Sequence, residues 1–127
     1  MQPLYGAVEA GGTKFVCMVG TGPADMREQT RIATTSPAET LLETVNFLRS
    51  AESRIGKLAA VGIASFGPLD LRPDSPTYGF ITSTPKAGWA NVDIVGAIRD
   101  ALGVKVGVDT DVNAAALGEW RWGAAQG

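Results

Sequence analysis

The sequence has no histidine and a single cysteine, Cys17. An internal disulfide is therefore excluded, as is any metal site, triad or proton relay that needs an imidazole from these residues. Acid–base chemistry falls to carboxylates. Cys17 lies inside the apolar run Phe15-Val16-Cys17-Met18-Val19 and reads as a small buried side chain rather than a reactive thiol. An excess of either charge is also missing: 11 Lys and Arg stand against 13 Asp and Glu, a net charge of -2. That balance carries no footprint for nucleic acid or an anionic membrane, and neither is expected as a partner. No run of about 18 apolar residues is present to span a bilayer. The N-terminus lacks the basic start and long apolar stretch of a signal peptide, so the expected location is the cytoplasm.

What is present suits one compact domain, or one lobe of something larger, in 127 residues. Two short apolar segments, 4–10 and 14–20, are joined by Gly11-Gly12-Thr13 and predict a β-hairpin, with a third strand over about 27–34 completing an antiparallel sheet edge. Ser36 and Pro37 then mark a helix start, Glu39 closes a capping box, and Leu41, Leu42, Val45, Leu48 and Ile55 recur at helical spacing. Residues 58–65, LAAVGIAS, form a nearly unbroken apolar run, as a strand buried on both faces requires. From Phe66 to Gly79 the chain is crowded with Pro, Gly and Asp and predicts a long irregular loop, followed by a short strand in FITST. Asn91 can cap a second helix that stops at Gly103; VKVGVD predicts another buried strand and VNAAALGEWRWG a final helix. The order β-β-β-α-β-β-α-β-α implies an α/β fold with a mixed sheet.

Two stretches carry chemistry. In Gly11-Gly12-Thr13-Lys14 the glycines either supply positive φ for a tight hairpin, or expose backbone N–H groups as an anion-binding nest to which the Thr13 hydroxyl and the Lys14 charge contribute. A Walker loop is absent. In VGVDTDVNAAALGE, Asp109 and Asp111 fall just past a predicted strand, where ligands of α/β sheets collect; Asp111 either caps the following helix or faces the crevice as a base. A phosphate turn after the first strand and an aspartate at a later strand end are together the minimum for transfer from ATP to a hydroxyl.

Four segments in order, Glu9 to Lys14, Ser65 to Asp70, Thr82 to Trp89 and Thr110 to Glu119, resemble the N-terminal lobe of bacterial ROK sugar kinases, within the actin and hexokinase superfamily and its ribonuclease H-like fold. TPKAGW and TDVNAAALGE are most similar to the fructokinases. The resemblance implies that Gly11, Gly12, Thr13 and Lys14 hold ATP phosphates. It implies that Asp111 takes the proton from the attacking sugar hydroxyl, and that Gly67, Pro68, Thr84 and Thr110 contact the sugar. Many relatives carry Asn where Thr110 stands. Lys86 and Trp89 are candidates for the wall of the sugar cleft, with ordinary core packing as the alternative for Trp89. The resemblance further implies ATP-dependent phosphorylation of a hexose, fructose to fructose 6-phosphate before glucose, mannose or an N-acetylhexosamine. Magnesium would sit at the phosphates, with Glu9 or Asp111 nearby. No metal ligand set is expected in these residues. The adenosine segment and a structural zinc cluster are expected in a C-terminal lobe that this chain lacks. Residues 1–127 would then be the N-terminal lobe of a homodimeric kinase, inactive alone. A sugar-sensing repressor is the competing class, but its DNA-binding segment would precede the phosphate turn, and only 8 residues precede Glu9.

Overall fold

The computed structural model describes residues 3–22 and 25–109. Its first three strands, β1 (Leu4–Ala10), β2 (Lys14–Gly22) and β3 (Asp25–Ala33), form an antiparallel meander. Helix α1 (Pro37–Ile55) then carries the chain over to β4 (Leu58–Ser65), which pairs parallel to β1. Two-residue strands β5 (Phe80–Ile81) and β6 (Val92–Asp93) pair with each other, and helix α2 (Ile94–Leu102) leads into β7 (Lys105–Asp109), parallel to β4. The five-stranded mixed sheet runs β3-β2-β1-β4-β7. Both crossovers run through a helix, as a parallel pair requires.

Alternation along β1 puts Leu4, Gly6, Val8 and Ala10 on the buried face, with Tyr5, Ala7 and Glu9 half-buried on the other. The register aligns Val8 with Cys17 and with Ile63, and Ala10 with Phe15. Leu48 of α1 lies over this face, so close that a Cβ on Gly6 would stand 3.2 Å from its Cδ2. Phe15, Leu48, Ile63, Ile81, Trp89, Ile94 and Ile98 are fully buried in the same core. Each such aliphatic side chain contributes roughly 1.5–3 kcal/mol by leaving water. Cys17 is in this core, where burial pushes its thiol up to about 11 against an opposing hydrogen bond from Thr44.

Helix α1 begins where the sequence places it: Ser36 Oγ accepts from Glu39 N at 3.2 Å and Pro37 opens the first turn. Its buried stripe differs from the apolar one. Leu42 is 60% exposed, while Thr40 and Thr44 are fully buried. Their hydroxyls are satisfied locally, Thr44 Oγ1 donating to Thr40 O at 2.8 Å and Thr40 Oγ1 accepting from Thr35 N at 2.9 Å, which removes the cost of burying them. The cap of α2 is also displaced from its expected position. Asn91 adopts a left-handed conformation, φ 63°, and Asp93 caps instead, accepting from Gly96 N at 2.7 Å. Pairing of Val92–Asp93 with Phe80–Ile81 delays the helix and adds a strand to the expected order. The expected final helix lies outside the described residues.

Strand β3 forms the outer edge of the sheet. Arg27, Gln29 and Arg31 are exposed along it, and Arg54 of α1 reaches back to make an ion pair with Glu28. At the other end of α1's packing, Arg49 Nη2 donates to Ala101 O of α2 at 2.8 Å and ties the two helices.

Candidate functional site

Because β1, β4 and β7 run parallel, their carboxyl ends reach the same edge of the sheet, with Ala10 paired to Ser65 and Ala64 to Asp109. A cleft of about 350 Å³ opens there, lined by Glu9, Gly11, Thr13, Lys14, Val16, Ser65 and Phe66 among others. This is where a doubly wound sheet collects ligands. The hairpin loop and the end of β4, read from the sequence as a phosphate turn and the root of a sugar loop, therefore share one wall-to-wall space.

The turn is braced from outside. Gly11 N donates to Lys14 O at 2.9 Å, Thr34 N donates to Thr13 O at 3.0 Å, and Thr34 Oγ1 donates to Gly11 O at 2.8 Å. Those bonds engage the turn's carbonyls. The amides of Gly12 and Thr13 donate to no group among the described residues. Neither Gly11 nor Gly12 has a positive φ, so the hairpin does not need glycine for its handedness. A Cβ on Gly11 would stand 2.8 Å from Lys14 O, so close approach of backbone explains that glycine. A Cβ on Gly12 would meet nothing within 4 Å. Among the described residues the fold supplies no steric reason for glycine at position 12.

Gly67 and Pro68 follow Phe66 out of the cleft, joined by a cis peptide bond. Their loop is stitched to the next one: Thr82 donates to Pro68 O from its amide at 2.9 Å and from Oγ1 at 3.2 Å, and Asn91 N donates to Thr82 O at 3.1 Å. Thr84 lies inside that second loop, its Oγ1 accepting from Lys86 N at 3.3 Å. Trp89 does not line a cleft. It is fully buried, which settles its two sequence readings in favour of packing. Thr110 and Asp111 lie outside the described residues; β7 ends at Asp109, beside Ala64 of the cleft wall.

Sequence reading gave Asp70 no role, yet it organises the loop. Its side chain is 2% exposed and accepts from Arg72 Nε at 3.0 Å and Nη2 at 3.0 Å, from Ser75 Oγ at 2.6 Å and from Thr77 Oγ1 at 2.6 Å. Asp70 N donates to Phe80 O and Gly79 N donates to Asp70 O, pinning the two ends of the loop together. The Arg72 guanidinium first, then the Ser75 and Thr77 hydroxyls, hold the Asp70 carboxyl far below the usual carboxylate range. A carboxyl depressed in the folded state contributes stability that is fully present above its unfolded value of about 4 and is lost as the pH falls through that value toward the folded one. Asp70→Asn is accordingly expected to lower the melting temperature at neutral pH and to flatten its decline below about pH 4. Thermal melts of both proteins across that range check this, and parallel pH slopes would remove Asp70 as the source.

The model of the ROK family matches residues 5–127. The chain belongs to the ROK family. Among curated relatives, it is 50% identical over 119 residues to the fructokinase of Streptococcus mutans, covering 94% of this chain and 40% of that protein. Among solved structures, the ROK hexokinase from Thermus thermophilus superposes with a TM-score of 0.72 at 25% identity, over 91% of this chain and 38% of the other. A ROK glucokinase from Streptomyces griseus, solved in complex with glucose and AMPPNP, gives a TM-score of 0.65 at 29% identity, over 98% and 38%. The chain thus spans about 40% of the length of the curated relative. The hexokinase-like fold expected of it is confirmed by these ROK neighbours.

Proposed function

We propose that this chain carries the phosphate turn and sugar loops of an ATP-dependent hexose kinase whose acceptor is fructose. The observation that carries the reading is the cleft itself. Gly11, Thr13 and Lys14 of the turn line the cleft at the strand edge from which the chain proceeds, past Asp109, into Thr110 and Asp111. In this reading Gly11, Gly12, Thr13 and Lys14 hold the β- and γ-phosphates, and Gly67, Pro68, Thr84 and Thr110 orient the sugar. Asp111 accepts the proton of the attacking hydroxyl as its oxygen bonds to the γ-phosphorus and the bond to ADP breaks. The donors of the turn act mainly by holding charge in place, since phosphoryl transfer needs positioning more than covalent help.

The residues fit a magnesium ion held chiefly by the nucleotide. Glu9 places one carboxylate on the cleft wall, and among the described residues no cluster of three acidic or sulfur ligands forms a cage. When bound, Mg²⁺ would neutralise charge on the phosphates. Fructose is favoured over glucose by the 50% identity to a fructokinase against 29% to a glucokinase. Initial rates of the complete protein with ATP on fructose, glucose, mannose and N-acetylglucosamine test the reading, with fructose expected to give the highest kcat/KM. Faster transfer to glucose would overturn the acceptor, and no transfer to any of them would overturn the kinase.

A further inference from the structure

Trp89 touches three segments at once, and each contact falls beside a residue of the proposed site. Its ring stands 5.6 Å from Phe15, next to Lys14 of the turn, at an interplanar angle of 42°. On the other side it meets Phe66, next to Gly67, edge-on at 5.6 Å and 70°. Its Nε1 donates to Thr35 O at 3.0 Å, and the neighbouring Thr34 holds the carbonyls of Gly11 and Thr13. Trp89 itself belongs to the loop that carries Thr84, and its amide closes that loop on Lys86 O at 3.2 Å. A fully buried indole with one polar bond and two ring contacts has little freedom to shift without moving its partners.

From this arrangement we infer that Trp89 is a positioning residue that couples sugar binding to nucleotide binding. The inference rests on the proposed function, because it takes the turn as the phosphate site and the two loops as the sugar site. Sugar drawn against Gly67 and Thr84 sets the Phe66 and Trp89 rings, and these fix Phe15 and Thr35 at the root of the turn. A turn already fixed loses less freedom when phosphates arrive, so the first ligand tightens the second, and reciprocity makes the effect equal in both directions. Because Trp89 is fully buried, this coupling requires no contact between its ring and either ligand.

The test measures, in the complete protein, the affinity of a non-hydrolysable ATP analogue with and without saturating fructose. In the unaltered protein fructose is expected to tighten the analogue by about fivefold or more. Trp89→Phe keeps a ring but loses the bond to Thr35 O, and is expected to bring that factor to about twofold or less while each ligand alone binds within about threefold of normal. Phe66→Leu should act in the same direction, and it decides the matter if Trp89→Phe does not melt cooperatively. Ile98→Val, a truncation on α2 that makes no ring contact with Trp89, controls for stability and is expected to lower the melting temperature without altering the factor. Coupling retained in both Trp89→Phe and Phe66→Leu would overturn the inference, as would coupling lost equally in Ile98→Val. A parent protein that binds both ligands without coupling overturns it and leaves the kinase reading intact. A parent protein that binds neither overturns the kinase reading and this inference with it.

Discussion

Asp111→Asn in the complete protein is expected to lower kcat for fructose phosphorylation by roughly 10²–10⁴-fold, the usual worth of a positioned general base. Asparagine keeps the shape and one hydrogen-bond acceptor of the aspartate, but it cannot take the proton that the sugar hydroxyl must lose. Fructose and nucleotide should still bind, because the groups assigned to them, from Gly11 to Lys14 and from Gly67 to Thr84, are untouched. The loss should therefore appear in kcat and not in KM, as for an interaction made in the transition state. If Asp111 is the base beside the phosphates, removing its charge also lowers like-charge repulsion, so nucleotide affinity is expected to stay level or rise. The pH profile adds a second reading: the acidic limb of kcat/KM, set by protonation of the base, should disappear with the carboxylate. Steady-state kinetics with direct binding of a non-hydrolysable ATP analogue decide the matter. A variant that keeps more than about a tenth of the parent kcat would remove Asp111 from the role of base.

The second large effect is expected at Gly12. Gly12→Ala adds a methyl group that meets no atom of the chain within 4 Å and asks for no unusual φ. Its folding stability should therefore change by no more than about 0.5 kcal/mol, with alanine's restriction of the unfolded chain acting in its favour. If the bare amides of Gly12 and Thr13 hold phosphate, the same methyl group stands in the path of the ligand. The affinity for ATP is then expected to fall roughly 10- to 100-fold, the scale on which misplacing a reacting group by about 1 Å acts. Gly11→Ala is the complementary variant. Its Cβ would press on Lys14 O at 2.8 Å, the oxygen that accepts from its own amide. It should lower the melting temperature as well as the affinity. Unchanged KM for ATP in Gly12→Ala would show that the turn is only a corner.

Local signals proved legible where a residue's partner is close in sequence. Ser36 and Pro37 announce α1 because the cap bond spans three residues, and LAAVGIAS announces β4 because a central strand must be apolar on both faces. Elsewhere the deciding partner lies far along the chain. Asn91 and Asp93 are equally good caps in isolation, and the choice follows from strand pairing with Phe80 and Ile81, about a dozen residues earlier. Leu42 fits the apolar period of α1 better than Thr44 does, yet the threonine is buried because Thr40 O takes its hydroxyl proton. The turn at Gly11 and Gly12 is gripped by Thr34 from 21 to 23 residues away, a partner that no local pattern announces. Asp70 sits in plain sight within LDLRPDSPT, but nothing in that string says that the segment closes around it. The motifs were readable as a set, and that the first of them shares a cleft with Ser65 and Phe66 of the second became visible only with the sheet in place.

The charged outer strand β3 has a consequence for how the molecule behaves in a crowded solution. An edge strand offers a ladder of amides and carbonyls on which another chain could extend the sheet. Along this edge Arg27 and Arg31 keep their side chains in water, and Glu28 is held against Arg54 of the helix behind. A chain adding itself to β3 would have to desolvate cations on its approach and crowd an ion pair already in place. The border of the sheet is thus guarded against fibre growth by charges that lie away from the residues lining the cleft.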